Sequence, residues 1–251
     1  MISDWNYAKS TLRKPVGNAG KPTLQQISMN DPHILQLMQV PWAGFFMPLV
    51  AQGATFQMVE IEPLLAFQFT VDTARCKNHC GTLTKPPTLD ELFNVCLPLT
   101  QSNDAVHISG VGTRGAGTSI IIKSRSLNLG MILEGPLNPN AQDVWGIQWS
   151  WALPFVHVVR LNGRCYLHNG YHRALGVSEA GATTMPCIFR DVQDAAAVNI
   201  QPPATFDLPL LESANPPTIG HYAQGRAHKV ALRATTRIIQ INWAQHTMFD
   251  E

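Results

Sequence analysis

Apolar and polar positions alternate with a two-residue period in several stretches, which is the mark of half-buried strands. Phe56 to Ile61 is one such stretch. Val144 to Trp151 is another, with Trp145, Ile147, Trp149 and Trp151 on one side and Gly146, Gln148 and Ser150 on the other. Three tryptophans on one strand face make a large apolar surface, suited to a core or a subunit interface. Ser119 to Ser124, Val156 to Leu161, Arg164 to His168, Thr184 to Phe189 and Thr235 to Trp243 are further runs of strand length. Asn162-Gly163 between two of them is a strong hairpin signal, because a two-residue type I′ turn needs positive φ at both positions.

Helical signals are shorter. Asp31 is placed to cap a helix through Met38, with Pro32 at its first position and Pro41 as its stop. Thr88 with Glu91 three residues on forms a capping-box pattern ahead of Leu89 to Phe93. Tyr171 to Glu179 carries Ala174, Leu175 and Val177 and reads as a helix that ends at Gly181. Pro63 to Phe67 reads as a turn or a short helix. Residues 1 to about 30 are polar and without period, the pattern of an arm draped over the domain or a neighbouring subunit. Pro202-Pro203, Pro209 and Pro216-Pro217 mark a proline-rich surface crossing. The expected fold class is α+β: a mixed, partly closed sheet with a few short helices. The division expected is an arm over 1–30, a main domain over 31–195 with a β-rich insertion over about 95–155, and C-terminal strands over 196–251 packed on that same domain.

Composition narrows the classes. Of 251 residues 45% are hydrophobic and only 14% charged, against ~25% charged in a typical globular chain. Such a surface suits burial against a partner or against copies of the chain, so a homo-oligomer is expected. A net charge of +1 provides no global attraction to nucleic acid or an anionic membrane, and any anion site must be local. No apolar run reaches the ~18 residues of a membrane span, and Met1 to Arg13 lacks the layout of a signal peptide. Five scattered cysteines, Cys76, Cys80, Cys96, Cys165 and Cys187, fit a cytoplasmic protein with reduced thiols. Cys76, His79 and Cys80 lack the second ligand pair of a zinc site, so no metal site is expected.

The candidate chemistry lies in the turn Asn169-Gly170-Tyr171-His172-Arg173. A strand that hands over to a helix leaves amide N–H groups at the helix N-terminus, where the dipole favours an anion. Gly170 lets backbone approach a ligand without a Cβ in the way. Arg173 offers a planar fork to phosphate oxygens, and His172 can donate and titrate near neutral pH. The same residues also suit a purely structural turn, with Arg173 on a solvated helix face.

The run from Asn162 through Gly163, Tyr166, Asn169, Gly170, His172, Arg173 and Gly181 to Met185-Pro186-Cys187-Ile188 resembles the ParB/sulfiredoxin-like superfamily. There a strand, a Gly-x-(His/Arg)-Arg turn, a helix and a further strand follow at this spacing. Val59 to Leu65 is similar to that superfamily's opening strand and turn. The resemblance implies a ParB/sulfiredoxin-like mixed sheet and a nucleotide ligand, a nucleoside triphosphate or diphosphate with Mg²⁺. Gly170, His172 and Arg173 would then contact phosphate. No cysteine stands in this turn, so sulfinic-acid reduction is not implied. Proline-rich coil and strand follow Phe189 where ParB has its DNA-binding helices, so a partition clamp is not implied either.

Other candidates are weaker. Gly110 to Ser119 lacks the ending of a P-loop and leads into a strand, which makes it a hairpin loop, with Arg114 free to fold over an anion. Glu60 and Glu62, two residues apart on one strand face, are the carboxylates that could hold a metal or accept a proton, Glu60 being grouped with His172 and Arg173 as catalytic candidates. Their plain alternative is a solvated strand face. His168 and His172 straddle the turn and are not a helical metal pair. Three functions follow: a nucleotide or phosphate binder capable of phosphoryl transfer or hydrolysis, a nuclease acting on DNA or RNA, and a non-catalytic assembly protein.

Overall fold

A computed structural model of the chain describes residues 17–100, 107–113, 116–124, 130–138, 141–150, 155–198, 200, 202, 205–223 and 237–243. The fold is mixed α+β and divides into two compact units, residues 1–101 with 154–229 and residues 102–153 with 230–251. In chain order the elements of the first unit are β1 (Leu24–Gln26), α1 (Pro32–Leu37), α2 (Met47–Ala51), β2 (Thr55–Glu60), α3 (Thr73–Cys80) and α4 (Leu89–Cys96). The second unit holds β3 (His107–Thr113), β4 (Ala116–Ser124), β5 (Gly130–Asn138) and β6 (Ala141–Ser150). The first unit resumes with β7 (His157–Leu161), β8 (Arg164–Asn169), α5 (Tyr171–Glu179), β9 (Thr184–Asp191), α6 (Leu208–Leu211) and α7 (Ile219–Ala223), and β10 (Arg237–Trp243) completes the second.

Local chemistry sets most boundaries in the first unit. The Asp31 carboxylate accepts from the His33 N–H at 2.9 Å and caps α1. Thr88 and Glu91 form the reciprocal box of α4: the Thr88 hydroxyl accepts from Glu91 N–H, and the Glu91 carboxylate accepts from Thr88 N–H. Asn162 and Gly163 both have positive φ, 51° and 73°, as a type I′ hairpin between β7 and β8 requires. Helix α5 ends in a Schellman motif: Ala182 N–H donates to the Val177 carbonyl, Gly181 N–H to that of Ser178, and Gly181 takes φ of 100°.

The main sheet has the order β1-β2-β9-β7-β8. Every pairing is antiparallel except that of β7 with β9, for which α5 supplies the crossover. Both faces are covered, so the central strands read as unbroken apolar runs and not as alternations. Val156, Val158, Leu167 and Cys187 pack with Ala174 and Val177 of α5 and with Leu92 and Cys96 of α4. Val159, Leu161 and Tyr166 project the other way, against Leu65, Phe67, Val198, Phe206 and Leu211.

Residues 17–30 lie on the domain: β1 pairs with β2, and the Gly20 carbonyl accepts from Cys165 N–H. A three-residue strand is too short to leave a period in the sequence. The proline-rich crossing carries α6 and α7 and buries Phe206, Leu211 and Thr218. Strand β10 pairs with β4, which places the C-terminal strand in the inserted unit, since only its backbone pairing could reveal its partner. Thr113 pairs with Ala116 across the glycine-rich hairpin. Arg114, and the side chains of the tryptophan strand β6, lie outside the described residues.

Helix α3 went unforeseen. Asp72 caps it, and Cys76 and Cys80 lie one turn apart on its buried face. They pack on α5 at Gly176, where an added Cβ would collide with Cys80 Sγ and lie 2.8 Å from Cys80 Cβ and 3.2 Å from the Cys76 carbonyl oxygen. Gly176→Ala gains up to ~1 kcal/mol of helix propensity but overpacks this crossing, at about 1–3 kcal/mol. The expected result in urea unfolding is a net loss of stability, partly restored when Cys80→Ala is added. An unchanged or raised midpoint in the single variant would refute this packing.

Candidate functional site

The Asn169–Arg173 turn joins the end of β8 to the start of α5. The first bond of the helix runs from Ala174 N–H to the Gly170 carbonyl, 2.8 Å, and the N-cap, Gly170, has no side chain with which to cap the first turn. A helix N-terminus of this kind favours an anion through its dipole. Gly170 has φ of 100°, and a Cβ there would meet Val156 Cγ2 at 2.8 Å and Val156 Cα at 3.0 Å. The close approach that demands glycine is to the protein's own strand β7, and it seats the helix start against the sheet.

Two side chains of the turn have partners within the fold. Asn169 donates its side-chain amide to the Phe155 carbonyl, 2.5 Å. Tyr171 is buried in the core, and its hydroxyl accepts from Phe67 N–H at 2.9 Å. Burial raises the Tyr171 pKa, so its phenol stays neutral.

His172 and Arg173 are half-buried on the side of α5 that meets α3 and α4. Burial, then the positive charges of Arg75 and His79 on α3, pushes His172 down to about 4, and Asp72 opposes the shift only in part. At neutral pH His172 is therefore an uncharged donor and acceptor. The Arg173 charge is felt at Cys80 and Cys96, where it favours the thiolate, but burial dominates both sites and raises both thiols. All five cysteines are free and buried, with Cys76 held up at about 12 and Cys80 at about 11 mainly by burial. Thiols so placed are poor nucleophiles.

Sequence reading missed Arg75 and His79. They stand one turn apart on α3 beside the buried Cys76/Cys80 stripe, and the signal available was that four-residue spacing after Asp72. Glu60 lies elsewhere. Its carboxylate accepts from the Thr23 N–H and hydroxyl, and its backbone pairs with Thr184, beyond the C-terminal end of α5. The Val156 carbonyl beside Gly170 accepts from Ile188 N–H, and Thr184 to Ile188 is ~13 Å of strand. Glu62 falls past the end of β2, exposed in a turn whose carbonyl accepts from Gly220 N–H, so the two carboxylates share no strand face. Among the described residues no three His, Cys, Asp or Glu side chains group as a metal site, and no helix is long and apolar enough to cross a membrane.

Comparison with protein families, with curated proteins and with solved structures found no match. The residues themselves carry the functional reading.

Two outcomes check this geometry. Gly170→Ala combines a left-handed backbone penalty of ~1–2 kcal/mol with overpacking on Val156, and is expected to lower stability by about 2 kcal/mol or more in urea. A neutral effect would mean that the turn is not seated on β7. For His172 the folded pKa lies below the unfolded ~6.5, so the unfolded chain binds more protons between the two values. Its contribution is intact above about pH 6.5 and lost as pH falls to about 4. His172→Gln should make the urea midpoint fall less steeply across that window, and a slope identical to wild type would contradict a buried neutral imidazole.

Proposed function

We propose that this chain is a phosphate-ligand protein of ParB/sulfiredoxin-like type, which binds a nucleotide with its phosphates at the N-terminus of α5. The observation that carries the reading is an α5 N-terminus led by Gly170, which has no side chain to cap it, set beside Arg75, His79, His172 and Arg173. Helix dipole and amides attract the anion. Arg173 adds a charged fork, and a phosphate arriving beside His172 would favour its protonated form and draw a proton with it. The strand–turn–helix–strand order of β8, α5 and β9 supports the same reading.

Binding has more support than phosphoryl transfer. Glu60 sits toward the far end of α5, and Asp72, the carboxylate whose charge reaches His172, already accepts from Ala74 N–H as the cap of α3. Among the described residues no carboxylate set at the turn fits Mg²⁺, and binding rests on the helix N-terminus and side chains alone. A net charge of +1 argues against the nuclease alternative, in which phosphate contacts by a basic surface dominate affinity.

The test is a thermal-shift panel of ATP, ADP, CTP and GTP, with and without Mg²⁺, on wild type and on His172→Ala/Arg173→Ala. A nucleotide at 100 times its Kd adds about 2.7 kcal/mol, several degrees for a chain of this size. That shift should vanish in the double variant. No response to any nucleotide in wild type, or an equal response in both proteins, would overturn the proposal.

A further inference from the structure

A second group of nitrogen-bearing side chains lies on the sheet face opposite α5, apart from the turn. His157 of β7 shares its face with Val159 and Leu161, and it is 3% exposed. The ring of His168 on β8 stands 4.8 Å from it, centroid to centroid, at 62°. Arg190 of β9 reaches the same place: its charge depresses the protonation of both rings. His168 and Arg190 are half-exposed, so His157 forms the floor and the other two stand toward solvent.

These groups lack partners. Both ring nitrogens of His157, Nδ1 of His168 and Nε of Arg190 are buried without a hydrogen bond. Buried polar atoms are normally satisfied, and an orphan set calls for a bound species or a special role. Phe155 and Phe67 flank the two rings edge-on, and aromatic walls satisfy no nitrogen. Among the described residues the charged groups acting on His157 are His168 and Arg190, Arg190 is the one acting on His168, and no carboxylate acts on either. The guanidinium is oriented from one side only, by Nη1 donating to Gln52 Oε1 at 3.1 Å. A metal is disfavoured, since the guanidinium repels a cation and, among the described residues, no third ligand joins the two imidazoles.

We propose that His157, His168 and Arg190 form a binding site for a compact oxyanion, a carboxylate or phosphate group, on the face of the main sheet opposite α5. Arg190 Nε, His168 Nδ1 and one ring nitrogen of His157 are the donors. The two nitrogens of one imidazole point apart, so a single anion meets one of them and leaves the other to a water. Burial holds His157 at about 3 when the site is empty, and a bound anion favours the protonated ring. Anion and proton therefore bind together, and affinity rises as pH falls below neutrality toward about 3, the value of the empty site.

This site does not depend on the nucleotide reading, and the test keeps the two apart. Histidine ring ¹H–¹⁵N spectra are recorded while inorganic phosphate or sodium acetate is added to wild type, R190Q and H172Q/R173Q. The His157 and His168 signals are identified by H157Q and H168Q. The expected result is saturable movement of both rings with at least one anion, preserved in H172Q/R173Q and weakened about tenfold or more in R190Q. Rings that stay fixed with both anions far above the millimolar range overturn the proposal. So does movement lost in H172Q/R173Q but kept in R190Q, which would locate the anion at the α5 turn. Should R190Q lose its fold by circular dichroism, R190K gives the same comparison, keeping the charge and removing the planar fork.

Discussion

The chemistry of the main unit depends on one contact: the backbone at Gly170 lying against Val156, with no room for a Cβ between them. That approach anchors the end of β8 and the start of α5 to the edge of β7. Tyr171, next in the chain, then drives its ring into the core and accepts from Phe67 N–H. With the helix origin held this way, the N-terminus of α5 is set at a fixed place. The second glycine contact, Gly176 on Cys80, brings α3 alongside and adds Arg75 and His79 to the surroundings of His172.

Burial and like charge then decide the electrostatics. His172, His157 and His168 all have their protonated forms disfavoured, first by desolvation and then by neighbouring cations. In each case the protein concentrates positive potential where no carboxylate cancels it fully. Groups of this kind are stabilised by an incoming anion, which repays the desolvation that the empty state carries. The two proposed anion sites, on opposite faces of one sheet, thus rest on the same kind of chemistry, one built on a helix N-terminus and the other on side chains alone.

Much of the scaffold was legible because local physics dictates it. Capping at Asp31, the Thr88–Glu91 box, the Asn162-Gly163 hairpin and the glycine after α5 each involve groups within a few residues of one another. Their signals survive in a linear reading. Helix α3 escaped because its buried face consists of only Cys76 and Cys80, too short an apolar stripe to mark a helix in the sequence. The expected placement of Glu60 near the turn failed for a related reason: the register that pairs it with Thr184 is a long-range property. Asn169 and Tyr171 were read as ligand contacts, and nothing local could reveal that Phe155 and Phe67 claim them.

What the sequence by itself determined is the order of short elements and the presence of a glycine-led turn rich in donors, since backbone preference and near-neighbour hydrogen bonds act over a few residues. Tertiary structure alone decided which groups converge. The meeting of His157, His168 and Arg190 from three strands, the arrival of Arg75 and His79 beside His172, and the pairing of β10 with β4 all rest on strand register and helix crossing. These are fixed by how buried surfaces fit across the fold, and no stretch of chain carries that information on its own.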